Sequence, residues 1–249
     1  MVLDGLEETA KKSAPAIVRG TISSKIHVIR YADDFIITAE SKKLLEEKVK
    51  PAVESFLRKR GLSLSEEKTR ITRIEHGFDF LGQNIRKYKG KFLTTPSHDS
   101  VKSFLVTIRN TIRKHRGLAA SVLIRNLNPV LRGWANYHRH IVAKKTFNIV
   151  SNYIYHRLWQ WMRREHPGKS KDWLVQKYWM GGKAPWTFSV KIRKRQGGHR
   201  IYELFNPGRV KITRHVKIRG TANPYDPEYQ QYFKDRRFVL QDQKLCSCA

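Results

Sequence analysis

Apolar positions along the chain change period several times, and each change marks an element. Val2, Leu3, Leu6 and Ala10 share one helical face, away from Glu7, Glu8, Lys11 and Lys12. Residues 1–13 therefore read as a short amphipathic helix that begins without a cap. Residues 14–24 read as loop. Val28, Ile29, Ile36 and Ile37 then mark buried strand, yet Asp33 and Asp34 interrupt it. An unpaired buried carboxylate is costly. The conflict disappears if residues 25–38 fold as strand, tight turn and strand, with both aspartates at the turn. Ser41 is placed as a helix N-cap, Leu45, Val49, Val53, Phe56 and Leu57 keep a helical period to Arg60, and Gly61 stops it. Pro51 is expected to kink this helix or to start a second one. The helix is expected to pack on the sheet behind the carboxylates.

Leu62 and Leu64 alternate with polar residues, as in a short half-buried strand, and Lys68 follows in a loop. Phe78, Phe80 and Leu81, beside Gly77 and Gly82, predict a hairpin whose backbone comes close to a neighbour. Helices take over after Pro96-Ser97. Val101, Phe104, Leu105, Ile108 and Ile112 form one apolar face, and Gly117 ends that helix. A second helix covers 119–127 and is closed by Asn128-Pro129, a third runs from Pro129 to Val142, a fourth from Thr146 to Arg164 and a fifth over 170–179. Trp186, Phe188, Val190 and Ile192 alternate strictly, Gly197-Gly198 turns the chain, and 201–205 returns as a hairpin strand. Residues 210–218 read as one more basic strand, and 241–249 as a disordered end.

Charge changes the picture. The 249 residues carry a net charge of +29, far beyond what solubility requires, which implies a polyanionic partner, nucleic acid first. Residues 1–100 hold 19 basic and 14 acidic side chains, and residues 101–249 hold 31 and 7. A chemistry-bearing part followed by a nucleic-acid-gripping part fits that split; a generic basic RNA-associated protein fits the charge equally well. Two cysteines, Cys246 and Cys248, give neither a disulfide framework nor a zinc site. No stretch has the length of a membrane span and the N-terminus lacks an apolar signal core, so the chain is expected to be intracellular, cytoplasmic or organellar, without a membrane partner.

Two rigidly held carboxylates suit Mg²⁺, which takes one or two carboxylates together with substrate phosphates, and such ligands clamp the reacting oxygens in two-metal phosphoryl transfer. By itself an Asp-Asp turn is usually only a solvated turn. The full string Tyr31-Ala32-Asp33-Asp34 between apolar strands is more specific, and resembles the catalytic hairpin of reverse transcriptases of the group II intron type. Gly61-Leu62-Ser63-Leu64, followed by Lys68-Thr69, looks like the next block of that family, and Phe80-Leu81-Gly82 looks like its primer grip. Arg132-Gly133-Trp134-Ala135-Asn136-Tyr137 resembles the signature of the group II intron maturase domain. Glycine within a helix costs about 1 kcal/mol, so Gly133 points to close approach of another helix or of RNA. His138 and His140 are placed on the surface or facing RNA.

The resemblance implies an α+β fold: part of a reverse transcriptase palm over 1–95, thumb and maturase helices over 96–180, a small basic β-rich tail over 181–235, and a disordered end over 236–249. It implies catalytic and Mg²⁺-binding roles for Asp33 and Asp34, with Lys68 near the leaving pyrophosphate. It makes Phe80, Leu81 and Gly82 the primer grip. The candidate RNA contacts are Arg109, Arg113, Arg132, Trp134, Tyr137, Arg139, Lys144 and Lys145, with Arg193, Lys194 and Arg195 at a hairpin tip. Rings at 153–186, with Arg157, Arg163, Arg164, Lys169 and Lys171, divide between core and RNA surface. The implied partners are group II intron RNA, an RNA/DNA template–primer duplex, and a separate N-terminal reverse transcriptase part. That part is expected to supply a further palm aspartate that family members carry upstream, so polymerase chemistry is not expected from the chain alone. A non-catalytic splicing maturase is the alternative. Asn223-Pro224-Tyr225 resembles the approach to an HNH endonuclease, but Cys246 and Cys248 do not make its cysteine pair, and no endonuclease activity is expected.

Overall fold

A computed structural model describes residues 3–14, 25–183, 186–194, 197–213, 217–220 and 222–245. Arg195, Cys246, Cys248 and most of the predicted 14–24 loop lie outside the described residues. The architecture is mixed helix and strand and divides into two compact parts, residues 1–78 and 79–249.

The first part is built on α1 (Leu6–Lys12), β1 (His27–Tyr31), β2 (Asp34–Thr38), α2 (Lys42–Leu44) and α3 (Lys50–Arg58). Ser41 caps α2 as predicted, its hydroxyl accepting from the Leu44 N–H at 3.2 Å. A π-helical turn, Leu45–Val49, then leads into α3, where Pro51 sits in the first turn. Proline has no N–H to give, and a widened turn before it accommodates the missing bond. Leu6 and Ala10 of α1, Ile26, and Val49, Val53, Phe56 and Leu57 form the core. β1 and β2 pair antiparallel with Val28 opposite Ile37 and Ile29 opposite Ile36. Val28, Phe35 and Ile37 pack on the core, whereas Ile29 is 56 % and Tyr31 64 % exposed. The strands are therefore covered on one face only, not buried on both as the apolar run implied. Residues 62–73 form no strand: Leu64 packs on the core, and among the described residues no strand pairs with it.

The second part begins with an antiparallel sheet in the order β3 (Phe78–Phe80), β4 (Gln83–Tyr88), β5 (Lys91–Pro96). Four helices follow: α4 (His98–Lys114), α5 (Ala120–His138), α6 (Lys144–Glu165) and α7 (Lys171–Tyr178). Ser97 caps α4, its hydroxyl accepting from the Ser100 N–H at 3.2 Å, so Pro96-Ser97 is a strand-to-helix corner. The sheet is tied to the helices by Ser97 N–H to Gly82 C=O and by Val142 N–H to Thr94 C=O, both 2.9 Å. α5 is continuous through Pro129, where two helices were predicted. Pro129 and Arg125 lie on the exposed side, where the carbonyl left without a donor is open to solvent. Asn128 instead braces the helix: its amide donates to Glu203 C=O at 2.9 Å and accepts from Phe205 N–H at 2.7 Å.

β6 (Ser189–Arg193) and β7 (His199–Glu203) form the predicted hairpin, with Gly197 and Gly198 at positive φ. Residues 210–213 and 217–218 are not strand; 214–216 lie outside the described residues. α8 (Gln230–Leu245) extends into the end expected to be disordered. It is rich in Gln, Arg, Lys and Leu, which favour helix without help from packing. Among the described residues no helix is long and apolar enough to cross a membrane.

Candidate catalytic hairpin and nucleic-acid interface

The carboxylate pair sits where the sequence put it, at a two-residue turn. Tyr31 pairs with Asp34, leaving Ala32 and Asp33 as the loop. Ala32 takes φ +52°, the sign required at the first position of a type II′ turn and usually given to glycine. Asp34 opens β2 on the exposed face, beside Tyr31 and in line with Ile29 and Ile36. Both aspartates are exposed, and no hydrogen bond or ion pair among the described residues neutralises either. Lys68 is exposed and equally without a side-chain partner there. The structure gives no contact that brings it to the aspartates. No third His, Cys, Asp or Glu joins the pair among the described residues. Two hard carboxylate donors match the one or two that Mg²⁺ takes from protein, and fall short of a complete two-metal cage.

Phe80, Leu81 and Gly82 are half-buried at the β3–β4 turn. Leu81 (φ +49°) and Gly82 (φ +72°) have the two positive φ values of a type I′ hairpin turn. The Leu81 carbonyl accepts from the Tyr137 hydroxyl at 2.6 Å. A Cβ on Gly82 would lie 3.3 Å from Ser100 Oγ. The close neighbour foreseen for this backbone is thus protein, supplied by α4 and α5.

Along α5 the candidates separate. Arg132 is exposed, its guanidinium 5.2 Å from the Phe205 ring centre. Trp134 is half-buried. It stacks on Phe104 at 4.3 Å and meets Phe147 and His138 edge-on, joining α4, α5 and α6. His138 is fully buried rather than surface, with neither ring nitrogen hydrogen-bonded to protein. Burial, with a smaller push from His140, lowers its pKa to about 4. His140 is exposed, as expected. A Cβ on Gly133 would meet nothing within 4 Å, so among the described residues no helix approaches there. Arg139 is committed in part to Thr213, donating to its hydroxyl at 2.8 Å. Lys144 donates to the Gly208 carbonyl. Lys145, Arg193 and Lys194 are exposed.

Arg109 and Arg113 project from α4 into a cleft shared with α6, where Arg116, Arg157 and Arg164 join them. From sequence Arg157 and Arg164 stand out as cations but not as members of one site, and Arg116 is not singled out. The signal was present as matched spacing on two helices; the pairing of those faces was not.

Two family models match the chain. A model described as reverse transcriptase (RNA-dependent DNA polymerase) matches residues 1–85. A second, described as group II intron, maturase-specific domain, matches residues 101–179, which holds most of α4 and all of α5, α6 and α7. A comparison with curated proteins finds no match. With a reverse transcriptase part followed by a maturase-specific part, the chain belongs to the group II intron reverse transcriptase/maturase family.

Proposed function

We propose that this chain binds group II intron RNA through its maturase helices and supports splicing and mobility of the intron. Polymerase chemistry at Asp33 and Asp34 then takes a further metal-binding carboxylate besides these two. The observation that carries the RNA-binding reading is the exposed, carboxylate-poor cationic surface of α4–α6. α6 holds one acidic residue, Glu165, and it is occupied by the Gly117 N–H at 2.9 Å. Phosphates are the natural counter-charge for such a surface.

At the hairpin, Asp33 and Asp34 would supply carboxylate oxygens to Mg²⁺, which, when bound, supplies charge neutralisation at the reacting phosphate oxygens. The hairpin keeps the two aspartates adjacent at one end of the strand pair, and Lys68 is the candidate proton donor to a leaving phosphate. The Leu81-Gly82 turn, braced by Tyr137, would hold a primer end. Template–primer duplex is the substrate of this part of the proposal.

The count of two carboxylates among the described residues favours a second reading, a maturase that splices without polymerising. One comparison separates them. Primer extension is measured with a palm and fingers part added, and intron splicing is measured alongside, for the unaltered chain and for Asp33→Ala. Extension that disappears on substitution supports the first reading. Splicing unaffected by the substitution, with no extension under any condition, supports the second. Absence of any binding to intron RNA would sink both.

A further inference from the structure

The cleft between α4 and α6 encloses about 300 Å³. Arg109 and Arg113 line it from α4, Arg116 from the turn that follows α4, and Arg157, Gln160 and Arg164 from α6. Ile112 and Trp161 form an apolar floor, with Trp161 only 3 % exposed. The two walls follow one rule. Positions 109, 112, 113 and 116 are spaced i, i+3, i+4 and i+7, and so are 157, 160, 161 and 164. α6 thus presents one continuous helical face to the cleft, about 10 Å long at 1.5 Å per residue, and the last turns of α4 face it, with Arg116 added from the turn beyond.

The charge in this cleft is not balanced by protein. Arg157 donates to the Gln160 side-chain oxygen at 3.0 Å and lies 4.9 Å from the Tyr153 ring centre, which fixes its position. Arg109, Arg113, Arg116 and Arg164 have no side-chain partner among the described residues. The acidic residues of the two helices are elsewhere. Asp99 is in the first turn of α4, and Glu165 is engaged by the Gly117 N–H. Five guanidinium groups facing one another repel. Nothing in the packing needs them, since the apolar floor already seals the two helices. Planar forked donors in a row are, however, the arrangement that binds phosphate oxygens bidentately.

We propose that the α4–α6 cleft is a phosphodiester clamp, seating consecutive phosphates of one nucleic-acid strand between two arginine walls without reading its sequence. This deepens the RNA-binding reading above and rests on it. The strand comes from folded intron RNA or from a template–primer heteroduplex, and the test includes both.

Binding of the full chain to an intron RNA hairpin and to an RNA/DNA heteroduplex is measured across a salt series. The unaltered chain is compared with Arg157→Gln/Arg164→Gln, with Arg109→Gln/Arg113→Gln, and with an equal-charge control, Lys87→Gln/Lys89→Gln on the β4–β5 hairpin. All four are checked for helix content and melting temperature. Each cleft variant is expected to bind at least about tenfold more weakly on one of the two ligands. Its slope of log affinity against log salt should fall by about 1.4 to 1.8, the loss of two phosphate contacts. The control should change the slope by less than half as much. The ligand showing the difference identifies the strand's source. Equal weakening of cleft and control variants on both ligands overturns the clamp while leaving RNA binding intact. No binding by the unaltered chain overturns the reading beneath it as well.

Discussion

The Tyr137 hydroxyl donates to the Leu81 carbonyl at 2.6 Å, joining the maturase signature helix to the turn that resembles a primer grip. Two motifs far apart in the sequence are therefore one structural unit. Leu81 is held at φ +49°, an unfavourable value for a residue with a Cβ, by a bond from a neighbouring helix. Tyr137→Phe removes only the hydroxyl. It is expected to cost about 0.5–1.5 kcal/mol in urea unfolding. It should also speed amide exchange around Gln83. Unchanged exchange there would show that the bond does not hold the turn.

Two glycines should respond oppositely to alanine. Gly82 is at φ +72° with Ser100 Oγ 3.3 Å from its would-be Cβ, so Gly82→Ala should destabilise by more than about 1 kcal/mol. Gly133 is helical and open, so Gly133→Ala should stabilise the free protein by up to about 1 kcal/mol. If RNA lies against that open face, the same substitution weakens RNA binding. A more stable protein with unchanged affinity would remove RNA from this face.

Trp134 and Arg132 are adjacent and should behave differently. Trp134→Ala empties a stacked core position and is expected to cost about 3–5 kcal/mol, with RNA affinity lost only as the fold is lost. Arg132→Gln is exposed and should melt as the unaltered chain does, with a salt slope lower by about 0.7–0.9 if it contacts one phosphate. Melting curves and salt titrations on the two variants decide this.

Stability should depend on pH through His138. Its pKa is lowered by burial to about 4, against 6.5 for the free side chain. Between these values the unfolded chain binds the proton and the folded chain does not. Stability is therefore complete above about pH 6.5 and declines as pH falls toward 4, by no more than about 1.4 kcal/mol per pH unit for one proton. Denaturant unfolding from pH 7 to 4.5 measures the slope. His138→Phe should flatten it; an equal slope in the variant would place the titration elsewhere.

Much of the local structure was legible in the sequence. Alternating apolar residues around Asp33-Asp34 gave the strand–turn–strand, Ser41 gave a cap, and Gly197-Gly198 gave a hairpin turn, because each is set by neighbours within a few residues. Periodicity shows which residues share a helix face. It does not show what covers that face, and here only tertiary structure decided. Phe104 and Phe147 make Trp134 a core ring, and burial makes His138 a neutral one. Residues 62–64 are coil, with no strand paired to them among the described residues. The docking of α4 on α6 brings five arginines, from positions 109 to 164, into one cleft. Long-range contacts have no local signature, so the sequence determined the family and the two carboxylates, and packing decided which of the cations stand together.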